Sequence, residues 1–152
     1  MISPELLRRF PFFAGLGEEQ LREIAMIAQE VSYPANTVIS REGEQASHLF
    51  VLAEGEVELL YSGGEGASVD SYVGSIVQGE TFGISSMVEP FRLTASTRTE
   101  GPVKAIQIDA SALRALCEAD YPMGFILMRH LAQALTERLH AARIQLAVSR
   151  PI

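Results

Sequence analysis

The sequence predicts a mainly β protein, an antiparallel roll or barrel with helices at both ends. Three observations carry this prediction. Between Val31 and Ile108, short β-branched or alternating runs are punctuated by Gly, Pro and Asn, the signature of many short antiparallel strands. Ahead of them, Glu18 to Glu30 places Leu21, Ile24, Ala25 and Ala28 at helical spacing. Behind them, two helical patterns follow in succession, the second too long to lie on a small roll alone. One domain spans residues 1–152: N-terminal helices over 1–30, the β segment over 31–108 and C-terminal helices over 109–148.

Ser3-Pro4-Glu5 opens the first short helix, with Ser as N-cap, Pro in the first turn and an acid near the positive end of the dipole. Phe10, Phe12 and Phe13 cluster around Pro11, and three aromatics so close together belong in a core. The strand candidates are Thr37 to Ile39, His48 to Ala53, Val57 to Tyr61, Ser68 to Val77, Thr94 to Arg98 and Val103 to Ile108. Gly63-Gly64-Glu65-Gly66 reads as a flexible tip between two of them. Asp109 is an N-cap for a helix over Ala110 to Ala119. After Pro122 a long helix runs from about Met123 to Val148, its apolar stripe read as Leu127, Leu131, Leu135, Leu139, Ala142 and Leu146. The surplus stripe predicts a partner helix, most simply that of a second copy in a homodimer. The stripe's spacing of mostly four departs from a strict zipper.

Residues 79 to 96 are the stretch around which the chain is organised. Gly83 provides a turn in which the backbone approaches a neighbour closely. Ile84 to Val88 forms one helical turn, stopped by Pro90. The N–H groups at the start of such a turn attract anions, phosphate above all; the other reading is a plain β-to-β connection.

Composition limits the function classes. With 47% hydrophobic and 20% charged residues, the chain reads as a globular protein. A net charge of −7 argues against direct nucleic-acid binding, and makes any phosphate site depend on local geometry. The N-terminal segment lacks a signal-peptide h-region, and no apolar run is long enough to span a bilayer. A single cysteine, Cys117, excludes an intramolecular disulfide and fits a reducing cytoplasm. His48, His130 and His140 lack metal-ligand spacing, so no metal site and no enzyme is predicted. Cys117 reads as a small hydrophobe. The acidic loops at Glu42 to Glu44 and Glu54 to Glu56 lack calcium-loop spacing.

The ordered motifs resemble the cyclic nucleotide-binding domain superfamily, of the type found in Crp/Fnr regulators, kinase regulatory subunits and gated channels. They are Phe10-Pro11-Phe12-Phe13-Ala14-Gly15-Leu16, Tyr33 to Ile39, Glu42-Gly43-Glu44, His48 to Val57, Gly79-Glu80-Thr81-Phe82-Gly83, Pro90 and Thr94-Ala95-Ser96. The resemblance implies an eight-stranded, jelly-roll-like β-roll with a long C-terminal dimerisation helix. It makes the central stretch a phosphate-binding cassette, with Phe82, Gly83, Ile84, Ser85, Ser86, Arg92, Leu93, Thr94, Ala95 and Ser96 as candidate ligand-binding residues.

Two positions depart from the family pattern. The acid expected after Phe82-Gly83, for a ribose hydroxyl, is Ile84. The arginine expected before Thr94-Ala95-Ser96, for the phosphate, is Leu93. Arg92 lies one residue away, and strand alternation turns it to the opposite face. The helix position that contacts the base in relatives falls near Ala142-Arg143, making Arg143 the candidate there.

The resemblance implies a signal-sensing regulatory domain. It would bind cyclic AMP, cyclic GMP or a related small effector in the roll, with no cofactor, and transmit the change through its C-terminal helices. Catabolite-type relatives carry a helix-turn-helix after the exit helix, so the chain reads as a stand-alone sensor or a piece of a larger regulator. The alternative is a roll without ligand, serving as a dimerisation or protein-docking module.

Overall fold

A computed structural model describes residues 1–62 and 70–150. The chain begins with α1 (Pro4–Leu7), a 3₁₀ turn (Pro11–Phe13) and α2 (Glu18–Met26). The strands follow as β1 (Ala28–Tyr33), β2 (Val38–Ser40), β3 (His48–Glu54), β4 (Val57–Tyr61), β5 (Ser71–Ile76), β6 (Thr81–Phe82), β7 (Ser96–Thr99) and β8 (Val103–Asp109). A second 3₁₀ turn (Ile84–Met87) separates β6 from β7, and α3 (Ala110–Ala119) and α4 (Tyr121–Ser149) close the chain. The strands form two four-stranded antiparallel sheets, ordered β1-β8-β3-β6 and β2-β7-β4-β5. This is the predicted β-roll with helices at both ends.

Strand alternation sorts the core into two layers. Leu49 and Val51 of β3 face outward, into a cluster with Leu7, Phe12, Phe13, Leu21, Ile24, Leu113, Met123, Leu127 and Leu131 from the helical segments. Phe50 and Leu52 face inward, meeting Val57 and Ile76 of the other sheet with Phe82, Val103 and Ala105. β3 is thus buried on both faces, which explains its unbroken apolar run. Gly55 makes the turn into β4 at φ 94°; a Cβ there would lie 2.6 Å from the Pro102 carbonyl oxygen.

Several boundaries differ from the sequence expectation. The second helix stops at Met26 instead of Glu30, and Ala28, read as a helix-face residue, is the first residue of β1. Six residue pairs with β8, from Ala28↔Ile108 to Tyr33↔Val103, outweigh the helical spacing there. The roll therefore spans 28–109. The strand expected over Ser68 to Val77 is described at Ser71–Ile76, and the glycine-rich tip at Gly63 to Gly66 lies outside the described residues. The strand expected from Thr94 begins at Ser96. The final helix starts at Tyr121, with Pro122 inside its first turn, where a missing N–H costs nothing. Asp120 caps it by accepting the Met123 N–H at 3.1 Å, and also accepts from the Gln20 side chain at 2.9 Å. Gln20 so ties α2 to the head of α4, and these two hydrogen bonds, Gln20 first, hold the Asp120 carboxyl below its usual pKa.

The long helix carries two apolar faces where the sequence reading drew one. Met123, Leu127 and Leu131 are buried against the domain, whereas Phe125, Met128, Leu135, Leu139 and Leu146 are exposed. Steps of four residues drift about 40° around a 3.6-residue helix, so Leu127 and Leu131 leave the seam that Leu135 and Leu139 occupy. With the exposed Ala132 and Ala142, the outer face reads 125, 128, 132, 135, 139, 142, 146. That is an unbroken alternation of three and four, the pattern of a coiled-coil seam. No helix among the described residues is long and apolar enough to cross a membrane.

Candidate functional site

The central connection starts from β6, at the edge of the first sheet. Thr81 and Phe82 pair with Val51 and Phe50, and the Phe82 ring stacks on Phe50 with centroids 4.7 Å apart and planes 4° from parallel. Gly83 then adopts φ 73°, ψ 27°. A Cβ at this position would lie 2.7 Å from the His48 carbonyl oxygen, so the turn needs glycine for conformation and for space. The 3₁₀ turn is closed by the Ser86 N–H on the Gly83 carbonyl at 3.0 Å, and the Ser86 hydroxyl donates to the same oxygen at 2.6 Å.

These bonds assign the candidates different places. Ser86 is fully buried, its N–H and hydroxyl both spent inside the turn. Ile84 is 7% exposed and belongs with Met87 to the outer core cluster, beside the helices. Ser85 is half-buried. A cis bond precedes Pro90, and Phe91 has φ 58°. Arg92 pairs with Gln45, and its exposed guanidinium donates to the Gly43 carbonyl at 3.0 Å. Leu93 exchanges backbone bonds with Gly43 and Glu44, at 2.8 and 2.9 Å; its half-buried side chain belongs to neither core cluster. Ile84 and Leu93, the two departures from the family pattern, are therefore not brought together. Thr94 is exposed and Ala95 half-buried. The Ser96 hydroxyl accepts the Glu42 N–H at 2.9 Å, while the Glu42 carboxylate holds the Ser62 N–H and hydroxyl at 3.0 and 2.8 Å. Arg143 is exposed on α4.

Two arginines that the sequence reading passed over reach this connection from the C-terminal helices. Arg114 of α3 donates to the Ser86 carbonyl at 2.5 Å, and its guanidinium lies over the Phe91 ring, 4.1 Å from the centroid. It clasps the connection at two points, within the turn and four residues beyond it, combining a charged hydrogen bond with a cation–π contact. Arg138 of α4 donates to the Thr81 carbonyl. Burial lowers its pKa, against the opposing influence of Glu80 and Glu137. Neither arginine lies in a motif, and only the three-dimensional course of the helices brings them here. The one available signal was that each interrupts an apolar helical pattern.

Elsewhere, His130 donates from Nδ1 to the Phe12 carbonyl at 2.7 Å, because a carbonyl can only accept. That is a packing role. Burial, then Asp120 and Glu118, push the Cys117 thiol up, the opposite of the shift that activates a nucleophilic thiolate. No group of three metal-binding side chains occurs among the described residues. A cleft of about 850 Å³ lies away from the turn, between Phe10 to Phe12, the Gly79–Thr81 edge and the His130–Glu137 face of α4.

A two-sheet antiparallel β-roll whose glycine-turned connection is held by its exit helices is the class of fold that these residues define. The comparisons specify the class. The model of the cyclic nucleotide-binding domain matches residues 30–120, and the chain belongs to that family. A solved structure of a candidate cyclic nucleotide-binding protein from Geobacter metallireducens is 43% identical, with a TM-score of 0.82, covering 92% of this chain and 100% of that one. The CRP-like cAMP-activated global transcriptional regulator of Mycobacterium tuberculosis is 26% identical over 143 residues, covering 94% of this chain and 61% of the regulator. The cAMP-dependent protein kinase regulatory subunit of Schizosaccharomyces pombe is 23% identical over 109 residues, covering 72% of this chain and 25% of the subunit. The chain thus spans about three fifths and one quarter of these two relatives, a transcriptional regulator and a kinase regulatory subunit.

Proposed function

We propose that this chain is a sensor domain that takes up a small effector of cyclic-nucleotide type at the 83–96 connection and transmits its arrival to α3 and α4. The observation that carries the reading is the Arg114 clasp. It joins the carbonyl of Ser86 and the ring of Phe91 to α3, so a connection that shifts around a ligand must shift or release that helix. An effector that prefers one placement moves the population toward it. The exposed three-four seam of α4 supports a homodimer through that helix, as the readout surface. Cyclic AMP comes to the proposal from the named relatives, with cyclic GMP as the second candidate. Nucleic acid stays outside the roles proposed for these residues, given the net charge of −7. A cytoplasmic setting rests on the free Cys117.

A second reading has its own observations. Ile84 is part of the hydrophobic core, Leu93 brings no charge, and Arg92 reaches outward to Gly43. These favour a roll without ligand that serves as a dimerising or docking module.

Calorimetric titration of the chain with cyclic AMP and cyclic GMP, with light scattering to count protomers, separates the two. Saturable binding by a dimer is the result expected of the sensor. A flat titration by a folded dimer would leave the docking module standing.

A further inference from the structure

We propose that the cleft on the outer face of the first sheet is a second ligand site, and that it takes a small organic cation, an apolar or aromatic body carrying an ammonium or amidinium group. The site stands apart from the 83–96 connection and does not depend on what that connection binds.

Strand register fixes the place. Val51 pairs with Thr81, and Phe50 with Phe82. Directly opposed residues share a face of the sheet. Phe50 and Phe82 belong to the inner core, so Thr81 shares the outer face with Val51, on the side of the helical segments. There it lines the cleft of about 850 Å³, together with Phe10, Phe12, Ala53 and Ala134. That volume is in the range of ordinary small-molecule sites. The first sheet itself stands between this cleft and the interior of the roll.

The floor of the cleft points to a ligand. Thr81 is 4% exposed, and its hydroxyl has no hydrogen-bond partner among the described residues. A buried hydroxyl left unpaired costs stability, whereas a valine would fill the same space without that cost. A ligand that hydrogen-bonds to the hydroxyl offsets the loss. Beside it the floor is apolar and aromatic, with Phe10 and Phe12 both buried. Aromatic faces attract cations.

The rim decides the sign of the ligand. It carries Glu30, Glu54, Glu80 and Glu137 against Arg9 and Lys104. None of the six forms an ion pair among the described residues. Four acids against two bases leave the rim negative. Arg138, bound to the Thr81 carbonyl and outside the lining, reduces this excess without reversing it. Opposite charges attract more strongly in a partly desolvated cleft than in open water. An organic cation therefore gains there from the acids and the rings together, while an anion is repelled by both.

The test is a titration of the nitrogen-15-labelled full chain, followed by NMR, with phenethylammonium, phenylacetate and phenethyl alcohol. These three probes have similar bodies and differ in charge. Phenethylammonium is expected to shift the amide signals of Gly79, Thr81 and Ala134 saturably, with a Kd of about 1 mM, as suits so small a probe. The other two should bind about tenfold more weakly. Thr81→Val should weaken the cation about fivefold and melt no lower than wild type, since it removes an unpaired hydroxyl. Glu137→Gln should weaken it about twofold, and Glu118→Gln, on α3 and outside the cleft, should match wild type. Shifts that never saturate, or that miss the cleft with all three probes, would overturn the site. Phenylacetate or phenethyl alcohol binding as tightly as phenethylammonium would overturn the cationic class. Undiminished binding by Thr81→Val would overturn the role of the hydroxyl, and a lowered melting temperature would show that it is structural.

Discussion

At residue 83, the absence of one methyl group decides whether the central connection can form. The backbone there is left-handed, with φ at 73°, and the carbonyl oxygen of His48 would stand 2.7 Å from any Cβ. Both obstacles act together, since the strand that brings His48 close is the one that β6 pairs with. Gly83→Ala is therefore expected to cost about 1–3 kcal/mol for the strained conformation, with the contact adding to it. Chemical denaturation of the two proteins measures this; a loss below about 0.5 kcal/mol would mean the turn relaxes without penalty. Gly83 was legible from sequence because its demand on φ is local. The direction in which Ile84 points was not. Its burial beside the helices depends on where α3 closes, which no pattern within residues 79–96 encodes. Arg114 and Arg138 were hidden for the same reason: a lone arginine on a helix acquires its role from what the helix crosses.

At the scale of elements, the strongest signals were the ones repeated along the chain. An unbroken apolar run marked β3 and alternation marked β4, and the Asp109 cap fixed the start of α3, where its carboxylate accepts the Ala112 N–H at 2.9 Å. Signals failed where a neighbour overruled them. Ala28 fits a helix until β8 offers it a ladder, and the stripe of α4 looks single until the domain claims Leu127 and Leu131. Turns also gather charge that the sequence does not pair. The backbone bond from Glu100 to Glu56, at 3.2 Å, brings two acids together. Glu56 first, then desolvation, Glu58 and a hydrogen bond to Glu56 raise the pKa of Glu100. A carboxyl with a raised folded-state pKa holds its proton better in the native protein. Its contribution to stability is present below the unfolded pKa and is lost as pH rises through the folded one. Glu100→Gln should then melt at a higher temperature than wild type at neutral pH. The advantage should close as the pH falls through the ordinary glutamate range. Scanning calorimetry across that range tests it, and an advantage that persists in acid would assign the effect to something other than this repulsion.

At the scale of the whole molecule, the outer seam of α4 runs beside the residue that ties this helix to the roll. Arg138 touches β6 at Thr81, and the next residue, Leu139, lies on the exposed seam. In the sensor reading proposed above, an effector that changes the placement of α4 also changes how that helix presents Leu135, Leu139 and Leu146. Binding and dimerisation then share a coupling free energy, which is reciprocal by linkage. Saturating cyclic AMP should change the dimer dissociation constant by the square of the factor that separates the per-site effector affinities of dimer and monomer, because each of the two copies binds one ligand. Couplings of this kind are typically about 5- to 150-fold. Sedimentation equilibrium over a concentration series, with and without nucleotide, gives the first factor. Titration of a monomeric Leu139→Asp chain against the dimer gives the second, since a carboxylate in the seam opposes its own copy across a two-fold axis. A first factor equal to the square of the second, in either direction, would establish that the long helix reads the state of the roll. A dimer constant unmoved by nucleotide that demonstrably binds would show instead that α4 holds the copies together without listening, and that the signal leaves through the Arg114 side of the molecule.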